Sequence, residues 1–562
     1  MHMKKVCALC EKAFDISEKD LAFYDHISPV IGGKKQRIPP PTLCADCRNQ
    51  RRMAWRNDRS FFKRTCDKTG ETIISLYPEK TPFPVFKSDA WWSDAWDPME
   101  YGQEIQWSKS FFQQWQELLH RVPRRSLDLV NCENSDYCNY CGDDKDCYLD
   151  IAGEGNQDCY YNLFTKFSKD CMDCTFTYNS TLCYECIQCY DSYNCSYSQY
   201  LENCGDCMFC YDLKGCTDCM LSINLRNKKY CFQNEQLTKE EYKKRVLALQ
   251  LGSHTAVKRT ENLWNTVRIQ KGIYRDMYML NCENCSGNNI KNSQNTFNAW
   301  NASNCQDCKY LYDVLDAKDC YDLNYSLYNP QASYELISTL QLTFSAFSMA
   351  THFSSNVFYC DLCENSSDLF GCIGLNHKQY CIFNKQYTKE EYEEVLPKLI
   401  RHMQENHEWG EFFPAGISPH GYNETVAYEY MPLTKEEALH KGFVWNDQKK
   451  EQPTVEKIID ATNLPENICD IPDDVLNWAI RCETTGMPFK IIRKELEFYR
   501  EHTIALPRIC PRQRHDNRNA LRNPRILWER KCDATGESIH TSYAPSRPEH
   551  VYCEKAYLEA VK

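Results

Sequence analysis

The chain has no run approaching the stretch of about eighteen apolar residues that a membrane-crossing helix requires. Its opening, MHMKKVCALC, lacks the apolar core of a secretory signal. The expectation is therefore a cytosolic protein with no membrane partner, not secreted by that route. The sequence also lacks G-x-S-x-G, a P-loop and G-x-G-x-x-G, and His407-Glu408-Trp409-Gly410-Glu411 stops short of the second histidine of HExxH. These absences remove common signatures of esterases, nucleotide enzymes and zinc proteases without excluding catalysis.

What remains is a chain of 562 residues, 42% hydrophobic and 13% aromatic, a composition that favours three or more folded domains over disorder. It has 36 cysteines. In a reducing compartment such density with CxxC spacing points to metal sites or free-thiol cores before disulfides. The net charge of −12 is unevenly divided: residues 1–70 and 481–531 each carry about +7, whereas 131–236 carry about −10. The ends are basic and the body acidic.

Between Cys132 and Cys231 all 17 cysteines fall on one phase of a three-residue ruler. Many intervening ruler positions are small, among them Ser135, Gly153, Asn156, Thr165, Ser168, Thr177 and Ser180. A small residue inward at every third position describes a narrow β-solenoid with a cysteine ladder inside. Spacings of both 12 and 21 recur among these cysteines, which leaves two coil lengths open. A second copy follows at an offset of 150: Asn281-Cys282-Glu283-Asn284 repeats Asn131-Cys132-Glu133-Asn134, and LNHKQYCIFNKQYTKEEY (375–392) repeats LRNKKYCFQNEQLTKEEY (225–242). There Cys305, Cys308 and Cys320 leave the phase of Cys282 and Cys360. Each copy ends in Thr-Lys-Glu-Glu, a capped helix start. The interior thiols admit use as small filler, since Ser and Thr share their positions, as soft-metal ligands, or as a redox store. Tyr160, Tyr161, Phe164, Phe167, Tyr184, Tyr190, Tyr193, Tyr197 and Tyr200 interleave with the ladder as a binding face or as packing for flanking helices.

The two ends are copies of one module: residues 4–78 align with 479–545. In the first, Cys7, Cys10, Cys44 and Cys47 form CxxC…CxxC, the tetrahedral thiolate set of a treble-clef-like zinc finger. The second keeps Cys482 and Cys510 but has Thr485 and Gln513 at the partner positions. Either that finger survives on packing alone, or Cys482, Cys510, Cys532 and Cys553 gather into a rearranged site. Both copies retain arginines: Arg48, Arg52, Arg56 and Arg59 align with Arg514, Arg518, Arg522 and Arg525. On a helix this spacing makes one stripe, able to contact phosphates of RNA or DNA beside Trp55 or Trp528. An acidic protein surface, including the acidic ladder of the same chain, is the competing partner, and a solvated face the bland one.

Asp25-His26 followed by Gly32-Gly33 between the CxxC pairs locally resembles an HNH nuclease, with His26 as base and Asp25 and Asn49 on a metal. Pro39-Pro40-Pro41 occupy the usual polar ligand position, which weighs against it.

The motifs IPPPTLCADCRNQRRMAWRNDRSFF, WWSDAWDPMEYG, LRNKKYCFQNEQLTKEEY and SYAPSRPEHVYCEKAYLEAV together resemble a family of uncharacterised cysteine-rich, zinc-finger-like proteins of candidate-phyla-radiation (Patescibacteria) bacteria. The resemblance spans nearly the whole chain and implies a bacterial cytosolic protein with zinc fingers. Thr485, Gln513, Thr535 and Ala556 depart from the paired cysteines of related C-terminal modules.

The expected architecture is mainly β with α: a zinc-finger module with a Trp-rich extension (1–100), a helical linker (101–130), two cysteine-ladder solenoid copies with helices (131–270 and 271–405), a connector (406–473) and a degenerate finger (474–562). The three tryptophans of SDAWWSDAWDP are expected in its core. The expected function is non-catalytic binding of nucleic acid through the arginine stripes, with Zn(2+) as cofactor. A protein scaffold, a metal-buffering thiol protein and an HNH-like nuclease stand as alternatives.

Overall fold

The computed structural model describes residues 3–448, 455 and 457–562. It is a mixed α/β protein rich in short strands, and it forms two compact units that cross the sequence order: 1–127 with 277–447, and 128–276 with 448–562. The N-terminal module thus shares a unit with the second ladder, and the C-terminal module with the first. The connector expected at 406–473 is divided between them. Among the described residues no helix is long and apolar enough to cross a membrane.

Each ladder is built from rungs that pair in parallel with the next. From Leu129 to Phe232 the parallel pairings are offset by twelve, as in Leu129↔Cys141, Thr175↔Ile187 and Cys219↔Cys231. Of the two spacings in the sequence, twelve is the one at which backbone meets backbone. Every third residue takes a left-handed conformation, for example Asn194 (φ 50°), Tyr197 (φ 52°) and Tyr200 (φ 57°). That turns the chain after each short side, at a cost of about 1–2 kcal/mol per L-residue. Interactions at the twelve-residue offset compensate. Asn194 Nδ2 donates to Asp206 Oδ1 at 2.7 Å, and Asn289, Asn301 and Asp313 form a ladder at 3.0 and 2.7 Å. Where the corner is aromatic, rings stack instead: Phe164 on Phe176 at 4.8 Å and Tyr197 on Phe209 at 4.5 Å.

The inward side chains explain why Cys, Ser and Thr interchange. Cys174 Sγ donates to the Met172 and Cys183 carbonyls, both at 3.4 Å, and Ser168 Oγ does the same to Lys166 and Thr177. Ser168 Oγ also accepts from the Ser180 N–H at 3.2 Å, one rung on. A thiol or hydroxyl at this position fills the narrow space inside the rungs and adds a donor to carbonyls, such as those of Met172, Cys183 and Lys166, that already accept a backbone N–H, whereas the hydroxyls of Thr165 and Thr177 fill the same phase without a hydrogen bond.

The second ladder changes phase twice. Met279↔Ile290 and Leu280↔Lys291 are offset by eleven, and Lys318↔Gln331 by thirteen; the intervening pairings return to twelve. The short rung closes at Gly287 (φ 135°), where a β-carbon would fall 1.8 Å from the Ala299 carbonyl oxygen. The long rung carries its extra residue at the exposed corner Tyr328-Asn329. One deletion and one insertion cancel, so the overall repeat of 150 survives while Cys305, Cys308 and Cys320 run out of phase.

Both ladders end in an antiparallel pair, Cys231↔Gln236 and Cys381↔Gln386, followed by helices Lys239–Leu247 and Lys389–Glu405. Thr238 and Thr388 cap these through boxes with Glu241 and Glu391, as their sequences require. In the Trp-rich segment, Trp91 is buried with Phe86 and Leu362 and Trp96 packs against them, but Trp92 is exposed, so only part of the expected aromatic core forms.

Candidate functional site

The four cysteines of the first module converge. Cys7 and Cys10 lie on the turn between strands Met3–Val6 and Ala13–Ile16; the left-handed Glu11 closes that turn, its N–H bonded to the Cys7 carbonyl. Cys44 caps helix Ala45–Met53 and Cys47 sits in its first turn. The four sulfurs lie within 4.8 Å of one another, Cys10 and Cys44 at 3.7 Å, an arrangement that can hold a metal ion. Hydrogen bonding from Cys47, its side chain first and its backbone N–H next, pushes the Cys44 thiol down to about 4, and the same partner relation pushes Cys47 up. A thiolate at a helix N-terminus is the form that binds metal.

The C-terminal module reproduces this frame without the ligands. Cys482 stands on the turn between strands Trp478–Arg481 and Pro488–Phe489, and Cys510 caps helix Pro511–Leu521. Thr485 Oγ1 lies 3.8 Å from Cys510 Sγ, the place that Cys10 takes in the first module. Cys532 pairs instead with the Cys553 N–H at 3.2 Å. Among the described residues Cys482, Cys510, Cys532 and Cys553 form no common metal-capable group, so the rearranged site does not assemble.

The arginine stripes face inward. Of the stripe residues, helix Ala45–Met53 carries Arg48 and Arg52, and Pro511–Leu521 carries Arg514 and Arg518; Arg56, Arg59, Arg522 and Arg525 lie beyond the helix ends. Arg48 donates through Nε and Nη2 to Asp322 Oδ2 at 3.1 and 2.7 Å, and Arg52 Nη1 reaches Asp322 Oδ1 at 3.2 Å and Glu335 Oε2 at 3.1 Å. In the other unit Arg514 Nε reaches Asp173 Oδ2 at 2.9 Å, and Arg518 Nη1 lies 2.8 Å from Asp173 Oδ1 and 3.2 Å from Glu185 Oε1. Arg48 lies over the ring of Tyr310 and Arg514 over that of Tyr161; Arg56 covers Tyr325 and Arg522 covers Phe176. These ladder partners in one unit are the repeat equivalents of those in the other, 149 residues on or, past the long rung, 150; Arg514 adds Glu495 and Arg56 adds Asp58 within their own modules. Arg59 and Arg525 are half-buried. The expectation that the stripes grip nucleic acid is therefore corrected for Arg48, Arg52, Arg56, Arg514 and Arg518: their guanidinium groups are out of water and engaged. Trp55 is likewise buried against Trp115 and Phe413.

The nuclease residues are not assembled. Asn49 is buried and accepts from Asn324 Nδ2 at 2.8 Å. Asp25 is held by Lys35 and Arg37, and His26 is exposed beside Phe344. Of the ladder aromatics, Tyr160, Tyr161 and Tyr184 pack into the core of the C-terminal module, whereas Phe167 and Tyr193 face solvent.

Two features escape a search for cysteine spacing. A cavity of about 250 Å³ in the second unit is lined by Tyr184, Tyr197, Phe209, Trp264, Glu185 and Arg508, among others. Burial pushes Glu185 up to about 7 in spite of Arg518. The other is a second metal-capable group, Asp144, Cys147 and Asp150, inside the first ladder. Both aspartates fall on the cysteine ruler, and a carboxylate on an inward phase is the signal that finds them. In comparisons with known proteins, no family model and no curated protein matches the chain.

Proposed function

We propose that this chain is a non-catalytic scaffold: two cysteine-ladder β-solenoids, each flanked by a treble-clef-like module clamped onto it, the first held by zinc. The observation that carries this reading is the pair of matched arginine docks, in which the basic modules answer acidic rungs of the same chain and leave the exposed ladder aromatics for a protein partner. Phe167 and Tyr193 on the first ladder, and Tyr328, Phe344 and Phe353 on the second, are exposed aromatic side chains, with Val130 and Leu280 exposed at the ladders' first strands. The scaffold reading thus takes the place of nucleic-acid gripping.

Zinc suits the four-cysteine set. Tetrahedral thiolates at about 2.3 Å from the ion stand about 3.8 Å apart, and Cys10 and Cys44 stand 3.7 Å apart. The ion would cross-link the N-terminal hairpin to helix Ala45–Met53. We assign the protein to a reducing cytosol, in line with its resemblance to bacterial proteins, because the inward thiols donate S–H bonds that a disulfide has no hydrogen to make.

Titrations of the full chain with single-stranded RNA and DNA at about 50 mM salt, followed by fluorescence anisotropy, test the choice. Binding is expected to be weak, and Arg52→Ala and Arg518→Ala are expected to lower the melting temperature. Tight binding whose affinity falls steeply with salt, as several neutralised phosphates require, and weakens in those variants while their melting is unchanged, would overturn the scaffold reading.

A further inference from the structure

We infer that the lumen of the first ladder holds a second metal site, for a divalent ion of the zinc class, formed by Asp144, Cys147 and Asp150. These are three of the four ruler positions of a single rung; Gly153 is the fourth. Asp144 is 1% exposed and Asp150 fully buried. One oxygen from each carboxylate and the Cys147 sulfur lie within 4.8 Å of one another.

The carboxylates are only half satisfied. Asp144 Oδ1 accepts from the Asn156 N–H and Asp150 Oδ2 from Asn156 Nδ2, both at 2.9 Å. Asp144 Oδ2 and Asp150 Oδ1 have no hydrogen-bond partner. Leaving a buried anion in that state costs several kcal/mol. Other deeply buried aspartates of the ladders have cationic partners: Asp173 and Asp322 are each met by two arginines, Asp361 by Arg124 and Asp212 by Arg226. No lysine or arginine pairs with Asp144 or Asp150 among the described residues, so the missing counter-charge is a bound cation.

The fourth corner leaves room. A β-carbon on Gly153 would stand 2.5 Å from Asp144 Oδ2 and 2.6 Å from Asp150 Oδ2, so both carboxylates lean into the space its side chain would fill. Nor does the rung itself demand acids. The equivalent rung of the second ladder, 149 residues on, is Ser293, Thr296, Ala299 and Ala302, and it closes in the same parallel pairing. Two carboxylate oxygens alone would suit a hard cation, whereas the sulfur of Cys147 selects a borderline ion that accepts mixed O and S donors.

The test uses the full chain, saturated with zinc under reducing conditions, desalted, and counted for metal by mass spectrometry. About two equivalents per chain are expected. The triple variant Asp144→Ser/Cys147→Thr/Asp150→Ala copies three of the four inward positions of the rung that the second ladder already folds with, and it should lose one equivalent with its circular dichroism unchanged. Cys44→Ser should lose the other. Should the triple variant not fold, zinc X-ray absorption on Cys44→Ser decides, with mixed oxygen and sulfur neighbours expected. A triple variant that keeps all the zinc of the parent, or a Cys44→Ser protein that keeps none, overturns the luminal site and leaves the two carboxyls sharing a proton. If Cys44→Ser loses nothing while the triple variant loses one equivalent, the luminal site stands and the zinc-finger reading falls.

Discussion

Arg48 and Asp322 meet through two hydrogen bonds to one carboxylate oxygen, at 2.7 and 3.1 Å, with both side chains removed from water. Arg52 adds a second guanidinium to the other oxygen at 3.2 Å. Burial by itself disfavours the Arg48 charge, yet Asp322 together with the groups around it more than offsets that and holds the guanidinium protonated. Such a cluster is bistable in its consequences: complete, it fixes one docking geometry; deprived of one member, it strands a charge.

Asp322→Ala should therefore destabilise the first unit by about 3–5 kcal/mol, because two buried arginines lose their main partner. Asp173→Ala should do the same in the second unit. Both effects should persist in about 1 M salt, since groups held out of water are screened little. Urea denaturation of the full chain, followed by tryptophan fluorescence, reads the shift in midpoint. A loss under about 1 kcal/mol would mean that the modules dock by apolar contact and the arginines merely accompany it.

The extra residue of the thirteen-residue rung offers a test of rung architecture. Deleting Asn329, which is exposed at a left-handed corner, converts that rung to the regular twelve and leaves Cys320 opposite Ser333. The variant should fold with its melting temperature within a few degrees of the parent, a change of about 1 kcal/mol or less. Deleting Asn301 instead removes a residue from a regular rung whose side chain bonds to Asn289 and Asp313. It turns the following side chains off the inward phase, and loss of cooperative melting is expected. Equal effects from the two deletions would be incompatible with a fixed twelve-residue rung.

The abundance of short strands, the helix starts and the N-terminal cysteine cluster could be read from residue spacing because the physics behind them is local. A three-residue side with one inward position per side forces the cysteine ruler, a capping box forces a helix start at Thr238 and Thr388, and paired thiolates force the CxxC geometry of the first module. Rung length was not readable, since 12 and 21 are both multiples of three and only the hydrogen bond between successive rungs separates them. The docks were hidden for a different reason. Asp173 and Glu185 look like ordinary members of an acidic surface, and their role emerges only when Tyr161, Asp173 and Glu185 are set against Tyr310, Asp322 and Glu335 across the one-residue phase change. A stripe of arginines carries no mark of whether its partner is a phosphate or a buried carboxylate elsewhere in the chain.

His420 provides a pH handle on the first unit. Its ring is buried, stacked on Tyr77 at 5.1 Å with 7° between planes, and its Nδ1 has no hydrogen-bond partner. Burial, aided by the charge of Arg124, pushes it down to about 3. In the unfolded chain the same group titrates near 6.5. Above that pH it is neutral in both states and contributes no pH dependence. As the pH falls below about 6.5 the unfolded state takes up a proton that the folded state refuses, so stability declines by about 1.4 kcal/mol per pH unit until the folded group itself protonates near 3. His420→Phe keeps an aromatic ring for Tyr77 and removes the titration. Its stability relative to the parent should be constant above about pH 7 and improve by roughly 2–3 kcal/mol between about pH 6.5 and 4.5. The carboxylates are common to both proteins and cancel in that difference. A difference that stays flat across this range would mean that the ring is protonated within the fold, and that the charge of Arg124 is screened from it.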